Sequence, residues 1–90
     1  MAKVVLFEDI NFGGDQKVLY TSDNNLDEWG WWDFNDEVSS FIVEEGNAQF
    51  FSNPNYGGWA SRDFGPGERV AWVEEVGIGN DSISSVELWG

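Results

Sequence analysis

Apolar residues in this chain come in short runs, rich in β-branched and aromatic side chains, that end at turn signals. Runs of about four to eight such residues are typical of β-strands. The pattern predicts strands at residues 4–7, 17–20, 38–43, 48–51 and 84–89. Because short strands separated by turns dominate and no long helical period is present, the pattern predicts an all-β sandwich or barrel.

A polar, irregular stretch separates the second and third of these strands. Leu26, Trp29 and Trp32 recur there at helical spacing. This spacing predicts one short helical turn, with Asp23 or Asn24 as its N-terminal cap.

The chain also repeats itself. Residues 7–14 match residues 51–58 at an offset of 44: each stretch has an aromatic residue, four others, a second aromatic, one more residue and a glycine. Two hexapeptides, residues 35–40 (Asn-Asp-Glu-Val-Ser-Ser) and residues 80–85 (Asn-Asp-Ser-Ile-Ser-Ser), match at an offset of 45. One residue is therefore inserted in the second half between these landmarks.

The repeat divides the chain into halves, about 1–45 and 46–90, that are too short to be separate domains. We therefore predict a single domain, residues 1–90, built from two Greek-key motifs. Its length suits two four-stranded motifs packed face to face as a β-sandwich.

Each hexapeptide holds an amide, a carboxylate and two hydroxyls around a β-branched residue. Calcium takes about 6–8 such oxygen ligands, which is more than one hexapeptide supplies. Two copies at one end of a sandwich would serve two ions if they shared ligands. The alternative is purely structural: Asn-Asp pairs form turns at strand starts, and Ser pairs are ordinary strand residues. The duplication at equivalent places favours metal binding.

A second calcium pattern is excluded. Residues 23–27 (Asp-Asn-Asn-Leu-Asp) begin like an EF-hand loop. However, the sixth position is Glu28 where that loop needs glycine, and the twelfth is Phe34 where it needs a bidentate acid.

The repeated aromatic-glycine stretches favour a hairpin whose loop folds back over its own strands. Such a loop needs glycine where a side chain would clash or where φ is positive, and Gly14 and Gly58 suit that role. The aromatic pairs of the two stretches are expected to pack over the loops: Phe7 with Phe12, and Phe51 with Tyr56.

The chain has 90 residues and no cysteine, so disulfides cannot stabilise it and a bound metal is a natural substitute. Six Trp, seven Phe and two Tyr residues are predicted to lie mostly in the core. The alternative is that a minority form an exposed platform for a carbohydrate or a protein partner. The candidates for that platform are Trp29, Trp31, Trp32, Trp59 and Trp72.

The formal net charge of −13 argues against nucleic acid as a partner and against binding to an anionic membrane. No apolar run approaches the ~20 residues of a membrane helix, and the start of the chain lacks signal-peptide features. We expect a monomer without membrane insertion. It is either a cytoplasmic protein or a domain excised from a larger one, and it is extracellular if that larger protein is secreted.

Catalysis is not expected. The chain has no His and no Cys, so the commonest general base and the thiol nucleophile are both missing. Paired acids can hydrolyse glycosides, but no acid here lies in an apolar run that would raise its pKa.

The aromatic-glycine stretches followed by the Asn-Asp-x-x-Ser-Ser hexapeptides resemble the βγ-crystallin family in its calcium-binding, microbial form. The resemblance spans the whole chain, with both motifs in both halves. It implies two Greek keys related by a pseudo-twofold axis, with two Ca²⁺ ions bound at one end. Each site would draw on both halves.

The resemblance also assigns ligand roles. The fifth-position hydroxyls, Ser39 and Ser84, would each cross to the ion held mainly by the other half. Side-chain oxygens would come from Asp36 and Asp81. Backbone carbonyls would come from the third position and from the residue after the first aromatic: Glu37, Ser82, Glu8 and Ser52.

The remaining hexapeptide positions would support the fold. Asn35 and Asn80 would brace the loops, and Ser40 and Ser85 would pin the folded hairpins. Which ligands share an ion stays open. The predicted function is a non-enzymatic calcium-binding structural module whose two ions stabilise the fold; the alternative is the recognition module described above.

Overall fold

The structure is a computed structural model that describes residues 1–24, 26, 38–79 and 83–90. Its strands are β1 (Lys3–Asp9), β2 (Gly13–Leu19), β3 (Ser40–Glu45), β4 (Asn47–Asn53), β5 (Gly57–Ala60), β6 (Arg69–Val70) and β7 (Ser85–Trp89). Short 3₁₀ segments lie at Ile10–Phe12 and Val73–Val76. No helix in this described part is long and apolar enough to cross a membrane.

The strands form two antiparallel sheets, and each sheet includes a β-strand or β-bridge from the other half of the chain. The first sheet has the order β2-β1-β3-β6, so the second half contributes β6 to it. The second sheet has the order β5-β4-β7, and Asp23 of the first half adds an isolated bridge to Val86 of β7. The third segment of each half therefore crosses to the other sheet, which confirms the predicted pair of Greek keys in a β-sandwich.

Three phenylalanines join the two sheets through the core. Phe41 lies on β3, Phe50 lies on β4, and Phe64 forms a bridge with Ala48 of β4. All three side chains are fully buried. The Phe41 ring centroid is 4.3 Å from that of Phe50 and 5.0 Å from that of Phe64. Because Phe41 comes from the first half and its partners from the second, the halves share one core.

The prediction that aromatic residues fill the core holds for five of the six described phenylalanines, Phe12 being half-buried, but is wrong for the described tryptophans. The buried rings are Phe7, Phe41, Phe50, Phe51 and Phe64, whereas the exposed ones are Tyr20, Tyr56, Trp59, Trp72 and Trp89. Aliphatic side chains such as Leu6, Leu26 and Ile83 supply the rest of the core. Trp29, Trp31 and Trp32 lie outside the described residues.

Several elements differ from the sequence-based prediction. The third predicted strand begins at Ser40, the last position of the hexapeptide, rather than at residue 38. Strands β5 and β6 and the Val73–Val76 segment were not predicted at all. The predicted helical turn falls largely outside the described residues, although Leu26 is buried.

A small polar cluster closes the turn before β6. The Glu68 carboxylate accepts a hydrogen bond from Arg62 at 3.0 Å and one from the Gly65 N–H at 2.7 Å. Both bonds, the one from Arg62 first, hold the pKa of Glu68 below its ordinary value. Because the pKa of Glu68 is lowered in the folded state, its carboxylate stabilises the fold at pH values above the ordinary pKa near 4.5. This contribution is lost as the pH falls through the lowered pKa.

Candidate metal centre

Two hairpin loops form the base of the candidate site: the first hairpin loop, residues 9–13, and the second hairpin loop, residues 53–57. The Ser40 hydroxyl donates to the Asp9 carbonyl at 2.6 Å and accepts from the Phe12 N–H at 3.1 Å. The Ser85 hydroxyl makes the same two bonds, to the Asn53 carbonyl and from the Tyr56 N–H, at the same distances. The predicted pinning role of the two final serines is confirmed.

Each hairpin loop holds two successive non-glycine residues in the left-handed region. The φ angles are 57° and 60° at Asn11 and Phe12, and 59° at both Asn55 and Tyr56. Such angles cost roughly 1–2 kcal/mol per residue unless contacts compensate. Hydrogen bonds to Ser40 and Ser85 compensate, and so do edge-to-face aromatic pairs: Phe7 with Phe12 and Phe51 with Tyr56, each with centroids 5.6 Å apart.

The glycine after each loop lies directly on the strand beneath it. Gly14 has φ of 73°, and a Cβ there would lie 2.8 Å from Asp9 Oδ2 and 3.2 Å from Glu8 Cβ. Gly58 has φ of 72°, and a Cβ there would overlap the Ser52 hydroxyl. The predicted fold-back is therefore confirmed. It covers the Glu8 and Ser52 positions, which are half-buried.

The fifth-position serines occupy equivalent places beside these strands. The Ser39 N–H donates to the Phe7 carbonyl, and the Ser84 N–H donates to the Phe51 carbonyl, both at 2.9 Å. Glu8 follows Phe7 in the chain, so Ser39 lies next to the predicted carbonyl donor of the first half. Both serines are nearly inaccessible, with 5% and 4% of their surface exposed.

Ser52 uses its side chain within the second hairpin. Its hydroxyl accepts a hydrogen bond from the Trp59 N–H at 2.7 Å. The hydroxyl is therefore engaged within the hairpin, and the carbonyl-donor role of Ser52 stays a prediction.

The other predicted ligands, Asp36, Glu37, Asp81 and Ser82, lie outside the described residues, as do Asn35 and Asn80. The described ranges contain no group of three or more His, Cys, Asp or Glu side chains that could hold a metal. The predicted donor set does not need such a group, since each site has one side-chain carboxylate and otherwise hydroxyls and carbonyls. Because the chain lacks His and Cys, its donors are oxygens, which suit a hard cation such as calcium.

Contacts between the halves were not predicted from the sequence. The Asn11 N–H donates to the Ala71 carbonyl at 2.8 Å, and the Asn55 N–H donates to the Asn24 carbonyl at 2.7 Å. One sequence signal was available: asparagine precedes the second aromatic residue in both halves, and asparagine tolerates the left-handed conformation.

These contacts also refine the alignment of the halves. Asn55 follows Asn11 by 44 positions, but Ala71 follows Asn24 by 47, and the hexapeptides are offset by 45. The inferred one-residue insertion is therefore a net value. Compared with the first half, the second half has three more residues between its hairpin-loop asparagine and the residue that accepts the bond from the other half. It has two fewer residues between that acceptor and its hexapeptide.

The exposed tryptophans described in the second sheet do not form one platform. Trp59 lies on β5 and Trp89 on β7, and β4 separates these two strands. Trp89 also faces Asn47 at the opposite end of β4 from the residues that pair with β5. Trp89 was not among the predicted platform residues; of those, Trp59 and Trp72 are described and both are exposed, so the recognition alternative stays a prediction.

Replacing Ser85 with alanine is expected to lower the free energy of unfolding by about 2–3 kcal/mol, because the Asn53 carbonyl and the Tyr56 N–H both lose their partner. Urea denaturation measures the change. The matched control is Ser22→Ala, whose hydroxyl bonds Leu88 at an exposed position and should contribute about 1 kcal/mol or less. Equal losses in the two variants would contradict the pinning role.

The comparisons with known proteins agree with this geometry. The family model described as Beta/Gamma crystallin matches residues 3–88. A beta/gamma-crystallin of Ciona intestinalis is 39% identical over 92 residues, covering 97% of this chain and 98% of the relative. The solved structure of a Ciona intestinalis beta gamma crystallin superposes with a TM-score of 0.86 at 37% identity, covering 97% of this chain and 99% of that one. A betagamma-crystallin from an archaeon gives 0.85 at 34% identity, with 98% of both chains covered.

Proposed function

Because the chain belongs to the beta/gamma-crystallin family, we propose that it is a calcium-binding structural module with two Ca²⁺ ions in paired sites. The sites are shared between the two Greek-key halves, and the ions stabilise the fold. The observation that carries the proposal is the equivalent placement of Ser39 and Ser84, which are both buried. Each N–H bonds the strand that holds a candidate carbonyl donor of its own half, and each carbonyl accepts a hydrogen bond from the other half, from Val73 and Leu26.

The donor chemistry supports calcium. Ser39 and Ser84 lie at two equivalent places, each beside the strand that holds a candidate carbonyl donor. Asp36 and Asp81 add one carboxylate to each site, and Glu37 and Ser82 add carbonyls. Calcium accepts this mixture of neutral and charged oxygens, with water completing its shell. The net charge of −13 further favours a cation over any anionic ligand.

Shared ligation explains why there are two sites. One half supplies a loop carbonyl, a hexapeptide carbonyl and a carboxylate, which is fewer oxygens than calcium requires. The Ser hydroxyl lent by the other half adds a fourth protein ligand. Sites with one acid each should bind weakly, with Kd on the order of 10⁻⁴–10⁻³ M or somewhat lower. This range suits stabilisation rather than cytosolic signalling.

The relatives reported above carry no enzyme name. A structural role without catalysis fits a chain that lacks His and Cys.

Calcium is expected to raise the melting temperature, because an ion that binds only the folded state adds RT ln(1 + [Ca]/Kd) per site, about 2.7 kcal/mol at 100 times Kd. For a domain of this size, that is a large share of the total stability. Thermal unfolding should be followed in chelator and then with increasing calcium. An equal concentration of magnesium controls for general screening of the acidic surface, since magnesium demands a stricter octahedral shell. Identical curves in chelator, magnesium and calcium would refute the proposal.

A further inference from the structure

Within the described residues, the two sheets have four outer strands, and three of these are protected against pairing with another chain. Strand β2 carries two charged side chains, Asp15 and Lys17. Strand β6 has only two residues. Strand β7 is bridged by Asp23, whose N–H and carbonyl both bond Val86 at 2.9 Å. Charges, short length and a covering segment are the usual ways in which proteins protect the outer strand of a sheet.

Strand β5 is the fourth outer strand, and it has neither charge nor cover in the part of the chain that the structure describes. Residues 46–61, which include it, contain no charged side chain and form the longest such stretch of the chain. Its counterpart in the first half is β2, at the offset of 44. Asp15 and Lys17 of β2 correspond there to Trp59 and Ser61. The repeat therefore has protective charges on one hairpin strand, and on the other a tryptophan that is 45% exposed.

The outer side of β5 presents backbone groups that can pair with a further strand. The N–H groups of Trp59 and Ser61 both donate to β4, at 2.7 and 2.8 Å. In a trans peptide the carbonyl points opposite to the N–H that follows it, so the carbonyls of Gly58 and Ala60 point away from β4. The Ala60 N–H points the same way as its own carbonyl, as in any extended strand. No described strand lies beyond β5.

From this uncharged outer strand we propose that two copies of the chain associate weakly through β5, antiparallel about a twofold axis at Trp59. The outward groups fix the register: the Ala60 N–H of each copy donates to the Gly58 carbonyl of the other. The two Trp59 residues then lie directly opposite each other, at the close spacing of a pair without hydrogen bonds, and their side chains cover one another. This arrangement departs from the monomer expected from the sequence.

Charge and symmetry select a second copy as the occupant. The edge supplies both the donor and the acceptor of the proposed bonds, so it is complementary to itself, as a twofold contact requires. Copies with a net charge of −13 repel one another, and an uncharged edge is where they approach with the least repulsion. A basic peptide would instead be attracted to the acidic surfaces. Because one short strand buries little area, the dimer forms only at high protein concentration.

Sedimentation equilibrium in chelator measures the association constant without any contribution from calcium. We expect Trp59→Glu to lower this constant about 10-fold or more, because two carboxylates then lie directly opposite each other and the ring contact is lost. The matched control is Trp89→Glu, which makes the same change at a 39% exposed tryptophan on β7 and should keep the wild-type constant. A wild-type protein that stays monomeric at millimolar concentration, or equal losses in the two variants, would overturn the dimer.

Salt provides an independent check on the uncharged contact. Raising the salt concentration from ~0.1 M to ~1 M shortens the screening length from ~10 Å to ~3 Å and so reduces repulsion between the two acidic copies. The association constant of the wild-type protein should therefore rise. A fall would show that ion pairs hold the copies together, which would overturn the proposed contact.

A cysteine variant tests the register and does not require Trp59→Glu to fold. The chain has no cysteine, so a single introduced thiol can form a protein disulfide only with a second copy. In the proposed register the two Cα atoms at position 59 are ~4.5 Å apart, which a disulfide can span. In a glutathione redox buffer, Trp59→Cys should form the disulfide dimer about 10-fold faster or more than Trp89→Cys, because pairing raises the effective thiol concentration. Equal rates would overturn the proposed pairing.

Discussion

Replacing Phe41 with alanine is expected to lower the free energy of unfolding by about 3–5 kcal/mol, the usual cost of removing a fully buried phenylalanine ring. The ring packs against Phe50 and Phe64 across the sandwich, and these come from the other half of the chain. The cavity therefore opens at the contact that joins the halves. Because small domains have only about 5–15 kcal/mol of stability, this variant should be close to unfolding without calcium.

Urea denaturation with and without calcium measures this effect. Tyr20→Ala is the control, because Tyr20 is 57% exposed and its loss should change stability by roughly 0.5 kcal/mol or less. Calcium at 100 times Kd should restore about 2.7 kcal/mol per site to Phe41→Ala. A loss no larger than that of Tyr20→Ala would contradict a core shared between the halves.

Gly58→Ala is expected to lower the free energy of unfolding by about 3 kcal/mol. A positive φ accounts for about 1–2 kcal/mol of this loss. The rest comes from overlap, because the new Cβ would meet the Ser52 hydroxyl and lie 2.7 Å from Asn53 Nδ2. That hydroxyl bonds the Trp59 N–H, so the overlap also disturbs the strand that carries the proposed Ser52 carbonyl ligand. The variant should therefore bind calcium more weakly as well.

Gly77→Ala separates the two causes. Gly77 also has a positive φ, 85°, but a Cβ there would meet nothing within 4 Å. Its replacement should cost only the conformational part, about 1–2 kcal/mol, and leave calcium affinity unchanged. Thermal unfolding and calcium titration of both variants provide the comparison. Equal stability losses would show that the fold-back over Ser52 contributes nothing beyond the backbone conformation.

The repeated motifs made part of the site predictable. Gly14, Gly58, Ser40 and Ser85 act within a hairpin or between a hairpin and the strand beside it, and the motif that holds each of them occurs in both halves. Because these residues occur at equivalent places in both halves, they can be told apart from glycine and serine residues that occur in turns by chance. The predicted Greek-key pair was also confirmed, since strand patterns of this length leave few alternatives for a small all-β chain.

The rest of the architecture depends on contacts distant in sequence. Strand β6 has two residues and exists because it pairs with β3, whereas β5 is rich in glycine and lacks the β-branched residues that mark a strand. The tryptophans were misjudged because phenylalanine and aliphatic side chains already fill the described core. The contacts between the hairpin loops and the opposite half join backbone groups, which leave no side-chain pattern in the sequence.

The most direct test of the account is the stoichiometry of calcium binding measured by calorimetry in the wild-type protein, Ser39→Arg and Ser84→Arg. Ser22→Arg is the control, because it adds the same charge at an exposed position outside the hexapeptides. The account predicts two ions per chain in the wild-type and control proteins, and weaker binding in each hexapeptide variant. A stoichiometry other than two, or unchanged binding in both hexapeptide variants, would contradict paired sites shared between the halves.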